Sequence, residues 1–264
     1  MRFCGRRRPG RGTQTYHAYC GTHSYQMQPA LSDLLASALT DPTPRLRLIG
    51  AMAATLCDKT YAAISVADIV RAARVSKRTF YEHFATREAC YLATYEALSN
   101  ALLERIEQTV ESESESPVER RLLAAAQAYL SALQEVPPLA RSFFLEIQLA
   151  GPDALTARRQ VHQRFAEVLR ALVAKGKREG AEVRALSPDM SVALVGAINE
   201  LLTVRIEAGR LHELTQLQAA VVELFEAVLR QPSGPIPVRD KPARPGRPTR
   251  DRAEARPRRG RGAA

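Results

Sequence analysis

Lys77, Arg78, Thr79, Tyr81 and His83 crowd five donor-bearing side chains into one short stretch of the chain. At helical spacing Lys77 and Tyr81 share one stripe, Thr79 and His83 the next, and Arg78 lies between them, while Phe80 and Phe84 face the core together on another side. A short helix that is cationic on one side and aromatic on the other can lie against phosphates and base edges in a major groove while its back is held by a core. Ordinary solvated charge accounts for the charges but not for the frame around them. Ser76 is placed to cap this helix, and Ser65 with Asp68 has capping-box spacing for a preceding helix that turns Val66, Ile69, Val70 and Ala73 inward. Between the two, Ala73, Arg74 and Val75 leave room only for a tight turn.

The stretch from Thr43 to Tyr95 resembles the N-terminal DNA-binding domain of TetR-family regulators. The resemblance is carried by the run from Val75 to Phe84 (VSKRTFYEHF), its spacing to Arg87 and Glu88, and the fourth helix that Phe84-Ala-Thr-Arg-Glu88 opens. Matched residue by residue, it implies that Lys77, Arg78 and Thr79 meet bases or the adjacent backbone and that Tyr81 and His83 meet phosphates. It also implies that Arg87 clamps a backbone phosphate and that Ser65 makes another phosphate contact. Two positions depart from the family's pattern, since Arg74 in the turn and Thr60 after the first helix stand where glycine is usual. A non-glycine residue in a left-handed turn costs about 1 kcal/mol.

The rest of the chain bounds this reading. Its 264 residues are rich in Ala, Leu, Glu and Arg and contain no Trp, a helical composition. No stretch is apolar enough to span a membrane, and the N-terminal arginines are followed by no apolar signal region, so a cytoplasmic location and no membrane partner are expected. The net charge of +10 is uneven: residues 1–30 carry +5, residues 43–100 +3, residues 101–230 −3 and residues 231–264 +7. The positive field therefore sits on the DNA-reading segment and the two ends.

There is no Ser-His-Asp elbow, HExxH, dinucleotide fingerprint or phosphate loop, which argues against an enzyme and against a bound cofactor. Cys4, His17, Cys20 and His23 are too loosely spaced for a convincing zinc site, so no metal is expected. Cys57 and Cys90 fall in helices and read as small buried or inert thiols.

The elements that must position the recognition helix form an all-α chain. Residues 1–42 read as a largely disordered extension, in which Met27 offers an alternative start and residues 29–40 a short helix. Residues 43–100 read as the helix-turn-helix domain, with Thr43 as N-cap and Pro44 at the first position of helix one. The fourth helix is long enough to run into residues 101–230, read as a helical effector-binding and dimerisation domain with helices over 118–134, 138–149, 153–178, 188–208 and 213–230. Ser116, Pro117 and Glu119 have the spacing of a cap. Residues 231–264 read as a disordered basic tail, in which Arg244-Pro-Gly-Arg-Pro248 resembles the core of an AT-hook.

The last two helices, Val192 to Ile206 and Leu217 to Leu229, are apolar on more than one face. Either a larger subunit core or a second copy could bury the extra face, and the resemblance supplies the second copy. By the same resemblance a small-molecule pocket is expected among the middle helices. Phe143, Phe144, Ile147, Phe165 and Leu169 are candidate apolar walls, and Gln148, His162 and Asn199 candidate polar contacts. Asn199 shares a stripe with apolar residues, so it needs either a ligand or a neighbouring helix as partner. The expected function is a sequence-specific regulator, most often a repressor, that binds a palindromic operator in double-stranded DNA as a dimer and is released by a small-molecule effector. The alternative is an architectural, weakly specific DNA-binding protein driven by its basic ends, without an effector.

Overall fold

Prolines, serines and threonines punctuate the chain, and the computed structural model, which describes residues 37–230, breaks its helices at them. Helix α1 (Pro44–Asp58) begins with Pro44 after Thr43, whose hydroxyl makes no cap; Asp41 Oδ1 instead accepts from the Thr43 N–H at 2.7 Å. A 3₁₀ turn, Tyr61–Ala63, leads to α2 (Val66–Ala73) and α3 (Lys77–His83). The capping box at Ser65 and Asp68 and the cap at Ser76 both form as their spacing predicts. Thr86 caps the long α4 (Arg87–Ser112). Then come α5 (Val118–Glu135), α6 (Pro137–Arg141), α7 (Asp153–Arg178), α8 (Pro188–Glu207) and α9 (Gln218–Leu229). Every regular element among the described residues is helical, and none of these helices is long and apolar enough to cross a membrane.

Three local expectations give way to tertiary or neighbouring contacts. The helix predicted over 138–149 starts as α6, passes through a π-helical turn over Ser142–Glu146 and ends as a 3₁₀ turn over Ile147–Leu149. The stretch predicted as a helix over 213–230 opens as a 3₁₀ run, Leu211–Leu217, before α9 begins. Ser116 does not cap α5, because its hydroxyl donates to Glu113 Oε2 at 2.6 Å. Of the short helix predicted over 29–40, Ser37 to Thr40 are helical; the remainder lies outside the described residues, as do the extension, Cys4, His17, Cys20, His23, and the tail with its AT-hook-like run.

Leu48, Ala51, Met52 and Ala53 of α1 are fully buried and pack with Ile69, Phe80 and Phe84. The same cluster continues through Tyr91 and Tyr95 of α4 to Leu139, Ile147, Ala157 and Val161, so the helix-turn-helix shares one core with α6 and α7. A second cluster joins α5, α7, α8 and α9, and there Gly176 is required: a Cβ on it would lie 2.5 Å from the Val118 side chain. Val221, Phe225 and Leu229 turn into this subunit core, leaving α9 an outer face of small and charged residues. The exposed apolar face is therefore carried mainly by α8, at Val192 and Val204. Cys90 is buried in the core, whereas Cys57 sits on the outer side of α1 rather than inside; burial raises both thiols, Cys90 to about 12.

The turn between α2 and α3 closes on Arg74 at φ 53° and ψ 45°, with Val75 N–H donating to Val70 O at 3.1 Å. Arg74 thus pays the left-handed penalty that glycine avoids, while Thr60, at φ −67°, is unstrained. Arg74→Gly is expected to stabilise the chain by roughly 0.5–1 kcal/mol in thermal or denaturant unfolding. An unchanged or lowered stability would mean that the arginine side chain compensates for its own backbone.

Candidate functional site

Phe80 and Phe84 fix the orientation of α3. Phe80 is fully buried and Phe84 nearly so, their ring centroids are 6.0 Å apart, and Arg45 lies 5.3 Å over the Phe84 ring. With that side anchored, Lys77, Arg78, Tyr81 and His83 are exposed together on the other, and Thr79 is half-buried beside them. Lys77 and His83 make no ion pair among the described residues. Arg78 is paired only with Glu82 at 3.1 Å, an exposed contact worth about 0.3–0.5 kcal/mol that a phosphate can displace. The Thr79 hydroxyl lies 2.9 Å from Ser76 Oγ, so it takes part in the cap as well as facing outward. Ser65 is exposed at the start of α2, but its hydroxyl donates to Asp68 Oδ2 at 2.7 Å. Asp68 is also held by Lys59 at 2.9 Å, and these bonds keep its carboxyl far below the usual carboxylate range.

Arg87, expected to clamp a phosphate, is largely occupied inside the protein. Its Nη1 donates to Ile64 O at 2.6 Å and to Tyr61 O at 3.4 Å, its Nε and Nη2 reach Glu88 Oε1, and its guanidinium lies 4.5 Å over the Tyr61 ring. Nothing in a linear motif separates this use from a phosphate contact, because the partner carbonyls lie more than twenty residues upstream. Tyr61 is gripped from the other side too: Glu146, buried in the π-helical turn, accepts the Tyr61 N–H at 2.9 Å. The Tyr91 hydroxyl lies 3.1 Å from both the carbonyl and the hydroxyl of Ser142, at the start of that turn. The π turn is thus bonded to the segment that leads into α2.

The face of the same turn that points into the bundle lines a cavity of about 70 Å³. Phe143, Phe144 and Phe165, read from the sequence as apolar walls, and His162 and Asn199, read as polar contacts, all line it, joined by Tyr95, Leu102, Tyr129 and Arg158, which sequence reasoning did not single out. Ile147 and Gln148 are corrections: Ile147 is buried in the core and Gln148 is exposed, because the π and 3₁₀ turns shift the helical phase that would have aimed them inward. A second cavity of about 80 Å³, lined almost wholly by apolar side chains including Leu169, lies beyond. Tyr129, Phe165 and Asn199 line both and form the partition.

Asn199 finds its partners on two neighbouring helices. The Tyr129 hydroxyl donates to its Oδ1 at 2.9 Å, and its Nδ2 donates to His162 Nε2 at 3.1 Å, leaving the imidazole proton on Nδ1. Burial, with a smaller contribution from Arg158, lowers the His162 pKa from 6.5 to about 4, so this accepting, neutral imidazole is its resting form. Burial also pushes the Tyr129 phenol far up, which keeps it a donor. No group of side chains suited to holding a metal occurs among the described residues.

The family model for bacterial regulatory proteins of the tetR family matches residues 49–94. The HTH-type transcriptional repressor DhaR of Mycobacterium sp. (strain GP1) is 28% identical over 174 residues, covering 65% of this chain and 85% of that protein. In fold the chain is similar to the transcriptional regulator FadR from Bacillus subtilis, solved in complex with stearoyl-CoA, at 17% identity and a TM-score of 0.60 over 69% of this chain and 98% of that one. It is similar also to the fatty acid degradation regulator FadR from Bacillus halodurans, at 19% identity and a TM-score of 0.61 over 70% of this chain and 96% of that one. The TM-scores establish the shared fold.

Two measurements test the geometry. Arg87→Ala is expected to lower stability by about 1–3 kcal/mol, because it frees a buried carbonyl from its donor; a stability left unchanged, with the salt dependence of DNA binding reduced by roughly one counterion, would return Arg87 to the phosphate backbone. For His162 the sign follows from linkage: an imidazole at about 4 when folded and 6.5 when free takes up more protons in the unfolded chain between those values. Its contribution is complete above pH 6.5 and drains as pH falls to about 4, and His162→Gln is expected to flatten that part of the stability profile.

Proposed function

We propose that the chain, whose residues 49–94 match the tetR family model, is a regulator of that kind: it represses transcription by holding a palindromic operator as a dimer, and a small-molecule effector in the helical cavity releases it. The fold and the relatives are those of regulators rather than enzymes. In this reading residues 43–100 read DNA and residues 101–230 sense the effector and dimerise. Lys77, Arg78 and Thr79 would meet bases or adjacent backbone, with Tyr81, His83 and Ser65 at phosphates.

One observation carries the reading: the short π turn Ser142–Glu146 supplies both the cavity walls Phe143 and Phe144 and the Glu146 side chain that holds Tyr61 N–H. The cavity of about 70 Å³ has room for two or three waters, whereas pockets for drug-sized ligands run to about 300–1,000 Å³. An effector must therefore push its walls apart, and the wall it pushes is bonded to the helix-turn-helix. Turning a population from 1:99 to 99:1 needs about 5.5 kcal/mol of differential affinity. A π turn supports such a shift, because it holds one residue too many for the α ladder and has a regular helix as its competing state.

For the dimer, the outer face of α8 offers Val192 and Val204, exposed, with Gly196 between them, where an added Cβ would meet nothing. A second copy can approach closely along that line, and the exposed Ala219 and Ala227 of α9 leave room for it. The basic ends that favour an architectural protein lie outside the described residues, and no feature within them favours that alternative.

The test is operator binding by fluorescence anisotropy with light scattering in parallel. Wild type is expected to prefer one operator over random DNA by 10³-fold or more, on the order typical of specific regulators. Lys77→Ala and Thr79→Ala should change which operator variants are preferred, and Val192→Asp with Val204→Asp should give a monomer that loses the operator. Glu146→Ala should retain effector binding while losing effector-driven release. A preference for the operator that collapses in step with random DNA as salt rises would support the architectural reading instead.

A further inference from the structure

The first cavity is charged on one side only. Arg158 is the sole ionised side chain among its lining residues, no carboxylate lines it, and Arg158 has no hydrogen-bond or ion-pair partner among the described residues. Six residues further along α7, Arg164 buries Nε and Nη2 with no partner for either. Both guanidiniums act electrostatically on the Tyr95 phenol, which lines the same cavity. Glu96 acts on that phenol as well, but least of the three, and it makes no ion pair with either arginine. Buried cationic donors such as those of Arg164 are costly without a partner, and no carboxylate among the described residues pairs with either arginine. Much of the remaining lining is apolar: Phe143, Phe165 and Leu102 wall the first cavity, and Phe165 and the hydrogen-bonded pair Tyr129–Asn199 also line the second, apolar one.

We propose that the effector is an amphipathic organic anion, whose carboxylate or phosphate head is bound by Arg158 beside Tyr95 with Arg164 behind, and whose unbranched apolar tail runs past Phe165 toward the second cavity. This deepens the reading of an effector-released repressor and rests on it. The head supplies an acceptor for the Arg158 guanidinium, and Arg164 adds positive charge from outside the cavity lining. The tail must displace the partition, so the Tyr129–Asn199 bond opens and the two cavities, about 150 Å³ together, become one. A short tail that stays in the first cavity has little apolar area to bury, and affinity should rise with each added methylene until the second cavity is filled.

The experiment is calorimetric titration of the full chain with hexanoate through dodecanoate, and with decyl phosphate, decanol and decylamine, each repeated in the presence of operator DNA. The expected result is affinity rising along the carboxylate series. Decanoate or decyl phosphate should bind roughly tenfold or more tightly than decanol, and decylamine more weakly still. The ratio of decanoate to decyl phosphate identifies the head. Arg158→Gln, which removes no existing hydrogen bond, should abolish the preference for the anions over decanol, and Arg158→Lys should restore part of it. Leu169→Trp, which fills the second cavity, should cut decanoate affinity and leave hexanoate unchanged.

The assignment is overturned if decanol or decylamine binds as tightly as decanoate, if no member of the series binds, or if the preference survives Arg158→Gln in a folded variant. A preference for the anion that leaves the operator complex intact would support the ligand class and sink the release reading, so the two failures are separable.

Discussion

Tyr61 is the residue on which the two halves of the chain close. Its ring is buried against Tyr91, with centroids 4.3 Å apart, and lies under the Arg87 guanidinium. Its N–H goes to Glu146 of the π turn, its carbonyl accepts from Arg87, and its hydroxyl donates to Glu88 Oε1 at 3.2 Å. Burial and the neighbouring Glu88 outweigh Arg87 and push the phenol up to about 12, so the ring is a neutral, packed group. A buried backbone N–H cannot be left unpaired without a cost of about 1–3 kcal/mol, so wherever Glu146 goes, the turn before α2 tends to follow. The orientation of α2 and α3 is thereby tied to the bundle by a bond and not by hydrophobic contact alone.

The cavities give that tie something to respond to. Each is small, each is lined by side chains from several helices, and the polar partition between them is satisfied by its own neutral bonds from Tyr129 to Asn199 and from Asn199 to His162. The partition therefore carries no unmet polar demand of its own. Among the described residues the buried donors without acceptors are on Arg164 of α7 and at Arg121 Nη1 of α5. Packing and electrostatics thus divide the work: the apolar walls set the cost of opening, and the arginines set what chemistry can offset it.

Charge is distributed the same way across the chain. Residues 43–100 are net positive and residues 101–230 net negative, so between residues 43 and 230 the positive charge lies on the part that carries α3. On α3 itself the only acid, Glu82, is engaged by Arg78, and Lys77 and His83 make no ion pair among the described residues. The surface is open to an anionic partner, while its hydrophobic back makes its position insensitive to salt.

What the sequence determined by itself is whatever residues within four places of one another can settle. The capping box at Ser65 and Asp68, the cap at Ser76, the left-handed turn at Arg74 and the shared face of Phe80 and Phe84 are local, and they specify a helix-turn-helix with an exposed cationic side. The all-helical class followed from recurring periodicity for the same reason. Tertiary structure alone decided the partners separated by long stretches of chain. The sequence reads Arg87 as a phosphate ligand, and only the fold shows that the carbonyls of Tyr61 and Ile64 also accept from it. Asn199 was legible as a polar residue in an apolar stripe, but its donor, Tyr129, and its acceptor, His162, lie 70 and 37 residues away. The aim of Ile147 and Gln148 was lost to a π turn that inserts one residue into the helical count, and periodicity has no term for an insertion imposed by packing against another helix.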